Sequence, residues 1–74
     1  MRLPLLIEGN VKKLDICAVV LLPAGRWKIV AENILDSVLH PLPGTIIEGG
    51  TRVFINFITK GSEQNLNIYA EKCL

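Results

Sequence analysis

The stretch Pro43-Gly44-Thr45-Ile46-Ile47-Glu48-Gly49-Gly50-Thr51-Arg52-Val53-Phe54-Ile55-Asn56-Phe57-Ile58-Thr59 decides how the rest of the chain is read. Two strand-like runs flank Gly49-Gly50. A glycine pair can take positive φ at both positions, as a tight type I′ turn requires, so the stretch predicts a β-hairpin. The second run is rich in β-branched and aromatic side chains, the types that suit a pleated surface. Alternation puts Val53, Ile55 and Phe57 on one face and Phe54, Asn56 and Ile58 on the other, with Arg52 and Lys60 at the ends. The second face is therefore mostly apolar as well. A strand apolar on both faces is either central in a closed or two-layer β structure or covered by a partner.

Working back toward the N-terminus, Gly9-Asn10 predicts a turn between Leu3–Ile7 and a long run from Val11 to Leu22. That run starts in alternation, with Leu14 and Ile16 opposite Lys13 and Asp15, and becomes apolar on both faces from Cys17 onward. Pro23-Ala24-Gly25 predicts a second hairpin, into Arg26-Trp27-Lys28-Ile29-Val30. Here Trp27 and Ile29 point inward and Arg26 and Lys28 outward. The stretch 31–40 is ambiguous. Trp27, Val30, Ala31, Ile34, Leu35 and Val38 fit one face of a helix spanning 26–39. The competing reading ends a strand at Val30 and follows it with a short helical turn capped by Asn33. Beyond the central stretch, Gly61 to Asn65 reads as a loop, and Leu66 to Cys73 as a final strand with Leu66, Ile68 and Ala70 inward.

One internal echo is present. Residues 6–12 and 46–52 share an Ile-Glu-Gly core, which two independent strand-to-turn junctions explain through their common turn chemistry.

The expected fold is mainly β. It is a small antiparallel rolled sheet or barrel of about five strands, with at most one short helix, in a single domain covering 1–74. The alternative is an α+β sheet carrying one helix near 26–39.

Composition bounds the function. The 74 residues carry eight basic and seven acidic side chains, for a net charge of +1. That balance gives no electrostatic footprint for nucleic acid or an anionic membrane. Hydrophobic residues are 50% before the six glycines are added, where ordinary domains reach about 45–50% with glycine included. A domain this small buries only about 60% of its unfolded surface. The surplus of apolar side chains therefore predicts an interface with a copy of itself or with a larger complex. The longest wholly apolar run, Ile16 to Leu22, is far short of the ~20 residues of a membrane helix. The N-terminal segment does not read as a secretion signal, so the expected compartment is the cytoplasm, with both thiols reduced.

No motif names a reaction. Two cysteines and one histidine are too few for a structural zinc site within one chain, and no metal or cofactor is expected. Cys17 reads as a small buried hydrophobe, and a Cys17–Cys73 disulfide is the less favoured state. His40 and Asp36 would share a helical face, as a base and its orienting carboxylate can, but no nucleophile accompanies them. The glycine-rich segments lack the lysine and the helix start of a phosphate-binding loop. No enzymatic role is expected.

The candidate interaction surface is Arg26, Trp27, Lys28, Arg52, Phe54, Ile58 and Tyr69. It combines cations with rings, the pairing by which small β-barrels hold single-stranded nucleic acid. The expected function is a small non-catalytic interaction or assembly module, self-associating through apolar strand surfaces. Single-strand nucleic-acid binding is the alternative.

Overall fold

The computed structural model describes residues 1–73, and the side chains of these except 6–14 and 60–63. Five strands account for the secondary structure: β1 Arg2–Leu21, β2 Arg26–Glu32, β3 Ser37–His40, β4 Ile46–Glu48 and β5 Arg52–Lys72. All pairings are antiparallel. The mainly β fold expected from the sequence is the fold found, as a bent open sheet and not a closed barrel.

The two long strands form the frame. β1 and β5 pair from Arg2↔Glu71 to Leu21↔Arg52. The register shifts three times, between Pro4 and Glu8, Gly9 and Val11, and Lys12 and Leu14. Such irregularities bend a strand and increase its twist, so one strand pair serves two sheets. The C-terminal half of β5 continues into β2 and β4, giving the order β1-β5-β2-β4. Its N-terminal half takes β3 instead, through Ser37↔Thr59 to His40↔Asn56. A four-stranded and a three-stranded sheet thus share β1 and β5.

The core draws on both sheets: Trp27 and Ile29 from β2, Leu39 from β3, Val53, Ile55 and Phe57 from one half of β5, and Leu66, Ile68 and Ala70 from the other. The alternation seen in the sequence holds for each of these. Among large side chains, Trp27 and Phe57 are both completely buried. The indole Nε1 of Trp27 donates to the Pro23 carbonyl at 2.9 Å, which satisfies the ring's one polar group.

Both expected hairpins are corrected. Among the described residues β4 pairs with β2, not β5, through Arg26↔Glu48, Trp27↔Ile47 and Lys28↔Ile46. Nor does β1 pair with β2. The two turn segments dock on each other: Gly49 N–H donates to the Gly25 carbonyl at 2.6 Å, and Gly50 N–H to the Leu22 carbonyl at 2.7 Å. Only Gly50 has positive φ, at 82°. Gly49 is required for a different reason. A Cβ there would collide with the Pro23 backbone.

The expected breaks at Gly9-Asn10 and 61–65 are also corrected, because β1 and β5 run through both as continuous strands. No helix forms at 26–39. Arg26–Glu32 is strand β2, and the expected short helical turn is replaced by a bend in which Asn33 has a φ of 62°. Asn33 Nδ2 donates to the Asn65 carbonyl at 2.7 Å, and Asn65 is itself left-handed at a φ of 56°. The bond ties the bend to β5.

Candidate interaction surface

The residues proposed from the sequence divide into three groups. Trp27 is 0% exposed and Tyr69 is 4% exposed, so neither contributes to a surface. Trp27 lies in the core. Tyr69 stays covered in part because the Arg2 guanidinium sits 4.4 Å over its ring. Arg26 and Lys28 are exposed on β2. Arg26 reaches Glu48 at 3.2 Å with both side chains mostly in solvent, a contact that contributes little to stability. Arg52, Phe54 and Ile58 form the third group, exposed together on one face of β5.

That third group belongs to a larger face. In the three-stranded sheet, inward positions alternate with outward ones on every strand. Inward go Val53, Ile55, Phe57 and Thr59 of β5 and Leu39 of β3, all buried. Outward go Asp15, Cys17, Val19 and Leu21 of β1, Arg52, Phe54 and Ile58 of β5, and Val38 and His40 of β3, all exposed. Asn56, half-buried, stands in their midst. The register places them in rows across the sheet: Asp15–Ile58–Val38, Cys17–Asn56–His40, Val19–Phe54 and Leu21–Arg52. Phe54 is 73% exposed, Leu21 72%, Val38 62% and Val19 56%. Single exposed apolar side chains are ordinary, but here Val19, Leu21, Val38, Phe54 and Ile58 stand together on one face.

The face is not flat throughout. A groove of about 490 Å³ is lined by Cys17, Ala18, Val19, His40, Phe54, Ile55 and Asn56. Its volume lies within the ~300–1,000 Å³ typical of occupied sites. Asn56 Oδ1 is buried in this region with no hydrogen-bond partner.

Two expectations about single residues change here. Cys17 is exposed, not buried, and both cysteines are free thiols. His40 and Asp36 do not share a helical face, since His40 ends β3 and Asp36 lies in the preceding bend. Instead His40 shares a row with Cys17, which β pairing across 23 positions of sequence creates and no local spacing announces. Asn56 stands between them, so the two side chains arise from strands about 10 Å apart. That is too far for the direct hydrogen bond of a nucleophile and its base. Among the described residues no group of three or more His, Cys, Asp or Glu side chains is clustered for a metal ion.

No protein-family model matches the chain, and comparison with curated proteins and with solved structures gives no match. Among the described residues no helix is long and apolar enough to cross a membrane.

Proposed function

We propose that this protein is a small non-catalytic assembly module that self-associates through the outward face of its three-stranded sheet. The observation that carries the reading is the contiguous exposure of Val19, Leu21, Val38, Phe54 and Ile58 on that face. These side chains do nothing for the core of the monomer, which is filled from the opposite face of the same strands. Burying them against another molecule would recover about 25 cal/mol per Å² of apolar surface. A near-neutral chain also raises no long-range repulsion between copies. In this reading the module works in the cytoplasm, where the exposed Cys17 thiol stays reduced.

Sedimentation velocity over a wide concentration range tests the proposal. A three-strand face is at the small end of interface sizes, so dissociation is expected at roughly 1–100 µM. Phe54→Ser should sediment as a monomer while keeping the wild-type circular dichroism spectrum and a cooperative unfolding transition. A wild-type chain that stays monomeric at millimolar concentration overturns the reading.

Single-strand nucleic-acid binding is the lesser reading. Burial of Trp27 and Tyr69 leaves Phe54, beside Arg52 and His40, as the exposed ring of the candidate set. Titration with short single strands at low and moderate salt decides it. Salt-sensitive binding lost in Phe54→Ala would support it.

A further inference from the structure

We infer that the outward face docks against the same face of a second copy about a two-fold axis that runs across the strands and passes over Ala18 and Ile55. The inference rests on the self-association reading and adds its geometry. Among the described side chains the face carries two formal charges, Asp15 in the row at one end and Arg52 in the row at the other. Six residues of strand separate those rows, about 20 Å at the usual rise, so the two cannot pair within one chain. Among the described residues neither makes an ion pair.

Two orientations would stack this face on itself. A two-fold axis along the strands sets Arg52 against Arg52 of the second copy, on the central strand of both sheets, and like charges meet. An axis across the strands reverses the rows. Asp15 then lies over the row that carries Leu21 and Arg52 in the other copy, within reach of an arginine side chain, and the pairing occurs twice. The charges therefore select the second arrangement, as isologous contacts require self-complementary patches.

The shapes agree with the charges. Reversing the rows about Ala18 and Ile55 brings the Val19–Phe54 row of one copy over the Cys17–Asn56–His40 row of the other. Those residues line the groove. Phe54, which with Val19 forms one side of that groove, thus lies over the Cys17–Asn56–His40 side of the groove in the other copy. Both copies make the same contact, so the assembly closes as a dimer and leaves no sticky end.

The experiment is a charge swap read by sedimentation equilibrium. Asp15→Arg and Arg52→Asp alone each create two like-charge contacts per dimer and should weaken self-association roughly tenfold or more. Mixed in equal amounts, the two variants should form a heterodimer, because every contact again joins opposite charges. Recovery to within about threefold of wild type supports the geometry. Circular dichroism and thermal unfolding confirm that each exposed variant is folded. If wild type self-associates and Phe54→Ser abolishes this, but the charge variants are unchanged or the mixture is not rescued, the two-fold geometry is overturned and the self-association reading survives. If wild type does not self-associate, both fall.

Discussion

Gly49 packs against Pro23 so closely that a Cβ on the glycine would lie 2.9 Å from both the Pro23 carbonyl carbon and the indole Nε1 of Trp27, and closer still to the Pro23 carbonyl oxygen. The same carbonyl accepts the indole hydrogen bond. One backbone oxygen therefore sits between a glycine with no side chain and the largest side chain of the core. This contact holds the segment before β5 on the segment between β1 and β2.

Gly49→Ala should accordingly destabilise the fold by about 3 kcal/mol, because backbone and a buried ring must both move. Gly50→Ala should cost about 1–2 kcal/mol, the penalty of a left-handed backbone at a φ of 82°, because a Cβ there would meet only Ala24, at ordinary van der Waals distance. Urea unfolding of both variants checks the order. Equal effects at the two positions would contradict the close approach.

Trp27→Phe should cost about 1–2 kcal/mol, from the lost indole hydrogen bond and a small void. Trp27→Ala should cost about 3–5 kcal/mol. Trp27 is the chain's one tryptophan, so its fluorescence reports the core directly. Emission should be blue-shifted in the native state and move red on unfolding. A solvent-like emission maximum in native protein would place the ring outside the core.

Asn33→Gly and Asn33→Ala separate two contributions at the bend. Glycine keeps the φ of 62° freely and loses only the 2.7 Å bond to the Asn65 carbonyl, a change of about 1 kcal/mol. Alanine loses the bond and strains the backbone, for about 2–3 kcal/mol in all. Thermal unfolding should rank wild type above Asn33→Gly above Asn33→Ala.

Asn56→Val removes a buried acceptor that has no partner and replaces it with a residue suited to a central strand. A gain of about 1 kcal/mol is expected from equilibrium unfolding. A loss of stability would show that the amide is bonded in solution in a way the isolated chain does not reveal.

Much of the local structure was readable because side-chain alternation is a local property. The inward positions Val53, Ile55 and Phe57, and Leu66, Ile68 and Ala70, follow directly from period two. Strand partners were not readable in the same way. Gly49-Gly50 and Pro23-Ala24-Gly25 both carry hairpin chemistry, yet each turn bonds to the other. Turn residues permit a corner but do not choose the strand that lies beside it. The helix-like spacing at 26–39 failed for a related reason. Residues 29, 30 and 31 are apolar in succession, and pairing of β2 on both edges, to β4 and β5, used the backbone groups that a helix would need.

The candidate surface was legible in part. Two-sided apolar character at 17–22 and 53–58 signalled surplus hydrophobic surface, and Val19, Leu21, Phe54 and Ile58 carry it. Trp27 and Tyr69 were misplaced as surface rings because ring chemistry says nothing of cover: core packing hides one, and the Arg2 side chain lies over the other. Val38, His40 and Asp15 were missed, since they join the face only through β3 and β1 pairing with β5.

By itself, the amino-acid order determined strand character, the inward side of each apolar run and the excess of oily surface, since all three depend on neighbouring residues and composition. Only the tertiary structure decided which strands lie together, that β1 and β5 are shared by two sheets, and that Asp15 and Arg52 stand at opposite ends of one exposed face. Those relationships come from hydrogen bonds between positions far apart in the chain, whose register no local pattern encodes.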